Sequence, residues 1–105
     1  MSDKMTTDTI EKTKTITKVK VALPSMFSVI YMNDEQTSFE FVIESLVGVL
    51  NYTYDRAEDK AVEIHENGSA VVASFVYEIA EQKRTEIMVA ARQAEFPLEV
   101  KVEEE

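Results

Sequence analysis

Phe27-Ser-Val-Ile-Tyr-Met32, Asn33-Asp-Glu-Gln36 and Thr37-Ser-Phe-Glu-Phe-Val-Ile-Glu-Ser-Leu-Val-Gly-Val-Leu50 form one unbroken stretch that reads as a strand, a turn and a helix. The first six residues are mostly β-branched or aromatic, the types that fit a pleated, half-buried surface. The next four are polar turn formers. Thr37-Ser38-Phe39-Glu40 has the form of a capping box, with a hydroxyl for the third amide and a carboxylate reaching back to the cap. Phe39, Val42, Ile43, Leu46, Val47 and Leu50 then recur at the spacing of one helical face.

Downstream, Thr53 is placed to cap a second helix from Tyr54 to about Glu66, with Ala57, Ala61 and Ile64 inward. Asn67-Gly68 stops it, because glycine adopts the left-handed backbone that a helix end needs. Ala70 to Tyr77 is almost continuously apolar and reads as a central strand. Glu78 to about Glu95 reads as a third helix with Ile87, Ala90, Ala91 and Ala94 on one face. Pro97 breaks the chain, and Leu98, Val100 and Val102 alternate with charged residues as a last, half-buried strand. The order β-α-α-β-α-β predicts an α+β fold: a three-stranded antiparallel sheet with three helices packed on one face. Upstream, Leu23-Pro24-Ser25 marks the entry to the domain. Residues 1–22 read as a flexible Thr/Lys-rich tail, whose Ile16–Val21 portion alternates weakly enough to suit an edge strand. The expected division is a tail over 1–22 and one domain over 23–105.

A chain of 105 residues has room for one core. It has no cysteine and a single histidine, His65. That excludes disulfides, thiolate chemistry and nearly every metal-site design, so neither metal nor cofactor is expected. The net charge is −9, unevenly spread. Residues 1–22 hold five lysines against three acids, which leaves six basic and seventeen acidic side chains for the rest. So acidic a domain repels phosphate backbones, and nucleic acid is not an expected partner; the charge reads first as a solubility surface, and it also makes a cationic ligand, such as a peptide's free α-amino group, electrostatically welcome. No apolar run reaches about 18 residues, and no basic-then-apolar leader opens the chain, so a cytoplasmic protein with no membrane partner is expected.

Asn33, Asp34, Glu35 and Thr37 cluster between the first strand and first helix, and His65 lies in the last turn of the second helix. Each has an ordinary structural reading: Asn and Asp make turns, Thr37 caps a helix, and a histidine suits a helix C-terminus. The spacing leaves open whether they meet. His65 with Asp34 or Glu63 could be drawn as a catalytic dyad, but no nucleophile or oxyanion loop accompanies them, so no enzyme is expected.

Several segments resemble the ClpS family of Clp protease adaptors. They are Pro24-Ser25-Met26-Phe27-Ser28-Val29-Ile30, Asn33-Asp34-Glu35 with Thr37, Phe39-Glu40-Phe41-Val42-Ile43, Ala61 to Gly68, Tyr77 to Lys83 and Pro97-Leu98. The resemblance runs from about residue 23 to 102 without a gap. It implies an adaptor that binds proteins bearing a free N-terminal bulky hydrophobic residue (Leu, Phe, Tyr or Trp) and delivers them to a Clp AAA+ unfoldase for degradation. It assigns the α-amino group to Asn33, Asp34 and His65, and the first side chain to a pocket of Thr37, Phe39, Val42, Ala61, Ile64 and Leu98. Glu78 and Lys83 match positions that dock on the N-terminal domain of a ClpA- or ClpC-like unfoldase. Three residues depart from the family's usual pattern: Ser38 for proline, Phe39 for methionine and Ala61 for a large apolar side chain. A second reading keeps the fold and the docking surface but modulates the unfoldase without recognising N-terminal residues.

Overall fold

The computed structural model describes residues 23–105. Both expectations for residues 1–22, the flexible tail and the Ile16–Val21 edge strand, lie outside the described residues. The elements are β1 (Met26–Met32), α1 (Phe39–Leu50), α2 (Tyr54–Asn67), β2 (Ser69–Val76), α3 (Tyr77–Gln93) and β3 (Glu99–Glu104). The order and the three-stranded antiparallel sheet agree with the sequence reading.

Among the described residues the strand order is β2-β1-β3, so β1 is central and β2 is an edge, contrary to expectation. The apolar side chains of β2 divide between the two faces of the sheet. Ala70 and Val72 are buried, whereas Val71 is 49% exposed and Val76 36% exposed. The apolar run looked two-sided because valine also occupies the open face of the sheet, where burial is not required.

Val29, Tyr31, Ala70, Val72, Leu98 and Val100 meet Val42, Ile43, Leu46, Ala57, Ala61, Ile64, Ala80, Ile87 and Ala91 in a single core. Ala90 is only partly buried, and Ala94 is exposed because α3 has already ended there. Tyr31 is fully buried, and its hydroxyl lies 2.7 Å from Ser45 Oγ. Ser45 Oγ donates to the Val42 carbonyl at 2.8 Å, so its one proton is used and Tyr31 is the donor between them. Burial pushes the Tyr31 phenol pKa far up.

Side chains occupy some backbone carbonyls at both sides of the sheet. On β2, Lys60 Nζ donates to the Val71 carbonyl at 3.2 Å and the Tyr52 hydroxyl to that of Val72 at 2.6 Å. On the β3 side, Arg84 Nε donates to the Val100 carbonyl at 2.8 Å and Arg92 to that of Leu98 at 2.8 Å. Occupied edge carbonyls are poor templates for another strand.

The capping box does not form as expected. The N-cap of α1 is Ser38, extended at φ −69° and ψ 148°, whose Oγ accepts from the Phe41 amide at 3.0 Å. Thr37 is displaced from that role because its hydroxyl donates to Asp34 Oδ2 instead, at 2.8 Å. With Ser38 as cap, the third helical residue is Phe41, so Glu40 cannot reciprocate. The cap of α2 is the expected one: Thr53 Oγ1 accepts from the Arg56 amide at 3.3 Å, and Gly68, at φ 88°, ends the helix.

Candidate functional site

Three local features bring the polar cluster together. The Asn33 amide, one residue past β1, donates to the Gly68 carbonyl at 2.9 Å, fastening the strand's end to the turn that terminates α2. His65, in the last turn of α2, thereby faces the same region as Asn33. The 33–38 loop then delivers the chain to α1, whose first turn supplies Phe39 and Val42.

The result is a cleft of about 480 Å³ lined by Asn33, Asp34, Glu35, Thr37, Phe39, Val42, Ala61, Ile64 and His65. Asn33, Glu35 and His65 are exposed and Asp34 and Thr37 partly buried, while Val42, Ala61 and Ile64 are buried. Phe39 is 46% exposed, which makes it rim and not core. One side of the cleft therefore offers hydrogen-bond acceptors, and the other an apolar wall.

Asp34 is the most constrained member. Its Oδ1 accepts from the amides of Gln36 at 2.8 Å and Thr37 at 2.6 Å, and its Oδ2 from the Thr37 hydroxyl at 2.8 Å. Partial burial acts to raise its pKa. The two Thr37 bonds, the Gln36 amide and the charge of Arg92 outweigh that and hold the carboxyl below its ordinary value. These bonds stabilise the anion without cancelling it. Among the described residues the ion pairs are Lys60–Glu63, Arg84–Glu81 and Arg92–Glu99, so Asp34 keeps its net charge.

Among the described residues no lysine or arginine lines the cleft, and the C-terminal end of α2 adds the negative end of a helix dipole. The field favours a cation. A second, shallower groove runs along α3, lined by Arg84, Thr85, Met88, Val89, Arg92 and Gln93. It is framed by guanidinium groups and suits a cation poorly.

All the sequence-expected cleft residues converge except one. Leu98 is 1% exposed and not among the cleft's lining, because its side chain packs in the hydrophobic core. Glu78, exposed, and Lys83, partly buried, stand on the first half of α3 and outside the cleft. The sequence reading missed Arg92 as an influence on Asp34, since 58 positions separate them and no motif links them.

The family profile described as ATP-dependent Clp protease adaptor protein ClpS matches residues 22–101. The chain belongs to the ClpS family. The ATP-dependent Clp protease adapter protein ClpS of Campylobacter jejuni strain RM1221 is 42% identical over 94 residues, covering 90% of this chain and 98% of the relative. The ClpS of Treponema denticola is 36% identical over 89 residues, covering 85% and 88%. Among solved structures, Agrobacterium tumefaciens ClpS2 bound to L-phenylalaninamide superposes with a TM-score of 0.77 at 34% identity. That match covers 79% of this chain and all of the other. ClpS proteins are adaptors of the Clp protease and not its catalytic component. Among the described residues no helix is long and apolar enough to cross a membrane, and no group of His, Cys, Asp and Glu is arranged to hold a metal ion.

Proposed function

We propose that this adaptor binds proteins through a free N-terminal amino group and a bulky hydrophobic first side chain, and delivers them to a Clp AAA+ unfoldase in the cytoplasm. The observation that carries the reading is the pairing, in one cleft, of an uncancelled, hydrogen-bonded Asp34 carboxylate with the apolar wall of Val42, Ala61 and Ile64. An N-terminal ammonium has three donors and needs acceptors. The Asn33 carbonyl, the Asp34 carboxylate and a ring nitrogen of His65 supply them, directly or through water. The ClpS2 relative's ligand, L-phenylalaninamide, presents the same pair of groups, an α-amine and an apolar side chain.

The magnitudes are consistent. Burying a large apolar side chain contributes about 1.5–3 kcal/mol and a charge-assisted hydrogen bond about as much. Several such bonds, less the cost of association, give affinities in the micromolar range. Glu78 and Lys83 on α3 are the proposed docking residues for the unfoldase's N-terminal domain, leaving the cleft free for substrate.

The test is fluorescence anisotropy with labelled peptides beginning Phe or Leu, each with a free or an acetylated N-terminus. The expected result is saturable binding of the free forms and at least tenfold weaker binding of the acetylated ones. Equal affinities would leave a Clp-docking modulator without N-terminal recognition.

A further inference from the structure

We infer that Thr37 is a positioning residue for recognition of the α-amino group: its side-chain hydroxyl fixes the free oxygen of Asp34 in the one direction from which an ammonium can be met. This rests on the N-terminal recognition proposed above and assigns Thr37 a part beyond lining the apolar pocket or capping α1.

A carboxylate has about four acceptor positions, two on each oxygen. Oδ1 of Asp34 has both of its positions filled, by the amides of Gln36 and Thr37. Oδ2 has one filled, by the Thr37 hydroxyl. A single acceptor position on Oδ2 is left for a ligand. The two amides anchor Oδ1 but leave the carboxylate free to turn about it, and the hydroxyl on Oδ2 removes that freedom. Thr37 itself is held because the next residue, Ser38, caps α1 through the Phe41 amide, so the hydroxyl is referenced to the helix and not to a loose loop. Among the described residues no ion pair competes for Oδ2. Preorganised acceptors bind a charged donor better than acceptors that must first be ordered.

The charged and titratable groups around Asp34 are Glu35 on its own loop, His65 from α2 and Arg92 from α3. Substitution of Thr37 leaves all three in place. Losing a hydrogen bond to the charged form raises a carboxyl pKa. Removal of the hydroxyl therefore moves the Asp34 step of the acid limb of peptide binding to higher pH.

The experiment compares wild type with Thr37→Val, Thr37→Ala and Thr37→Ser, using Phe-initiated peptides with a free amine and with a hydroxyl in its place. The readouts are the ratio of the two affinities and the pH profile of the free-amine peptide. Thr37→Val and Thr37→Ala are expected to reduce the ratio about five- to tenfold and to move the acid limb upward, and Thr37→Ser to recover both. Two hydroxyl-free variants of different size ensure that a folding failure in one does not decide the matter. If both analogues weaken equally and the acid limb stays in place, Thr37 only shapes the pocket and the inference is overturned. If wild type itself does not distinguish amine from hydroxyl, the proposed N-terminal recognition fails instead.

Discussion

Asp34 enters the cleft as an anion held by three protein hydrogen bonds, and that state has consequences for binding and for stability. Asp34→Asn removes the charge but keeps the shape, and should weaken free-amine peptides about tenfold or more, measured by anisotropy. Because the folded-state pKa is depressed, the stability Asp34 contributes is complete above the ordinary aspartate value of about 4 and is lost as pH falls through the lower folded value. An acid titration of wild type and Asp34→Asn should therefore show the difference in Tm narrowing only below about pH 4; a difference constant to lower pH would contradict the assignment. In the core, the Tyr31–Ser45–Val42 chain of hydrogen bonds makes a directional claim. Ser45→Ala strands the buried Tyr31 hydroxyl and should cost about 1–3 kcal/mol, whereas Tyr31→Phe leaves Ser45 still donating to Val42 and should cost about 1 kcal/mol. Urea denaturation of the two variants checks the ordering. Nothing in the sequence announced this pair, because a serine in the buried face of a helix looks like a lapse in the apolar pattern until its partner is seen. The individual site residues, by contrast, were legible as types; their convergence was expected from the family resemblance but not legible in the spacing, since it depends on the Asn33–Gly68 backbone bond.

The elements end where local chemistry dictates, and two of these local choices are improvable. Gly48 lies in the interior of α1, is exposed, and a methyl placed there meets nothing within 4 Å. Gly48→Ala should stabilise by about 0.5–1 kcal/mol. α3 ends with the Phe96 amide on the Ala91 carbonyl at 2.8 Å and the Glu95 amide on that of Arg92 at 3.0 Å, a Schellman pattern. The residue at its turning point, Glu95, has φ 66°, a conformation that favours glycine. Glu95→Gly should add a similar increment. Thermal melts of the single and double variants test both; a lower Tm for either would refute the corresponding argument. Helix boundaries were readable to within a residue or two because caps and glycine stops are local. The placement of β2 at an edge was not, because an apolar run does not say which face of a sheet is covered. Nor was the cap at Ser38, since the competing demand on Thr37 comes from Asp34.

At the scale of the molecule, charge separates the two proposed tasks. Among the described residues no basic side chain lines the cleft, and Lys83 and Arg84 stand on α3 outside it; Arg92, also on α3, reaches Asp34 only through its charge. An adaptor that must hold a cationic peptide terminus and dock on an unfoldase at the same time benefits from keeping these surfaces apart. Lys83→Glu should reduce capture by a Clp unfoldase's N-terminal domain while leaving peptide affinity within about twofold, because Lys83 does not line the cleft. A pull-down paired with anisotropy on the same variant checks this, and loss of peptide binding with capture preserved would contradict it. The fold as a whole was open to sequence reading, since every helix and strand carries its own periodicity and stop signals. The cleft required the tertiary structure, because its two halves come from residues 33–42 and 61–65. The central claim is that one cleft reads a free N-terminus and its hydrophobic side chain together. The most direct measurement is the affinity of a Phe-initiated peptide before and after N-terminal acetylation, with the side chain unchanged. The account predicts micromolar binding that falls at least tenfold on acetylation; equal binding of the two forms would contradict it.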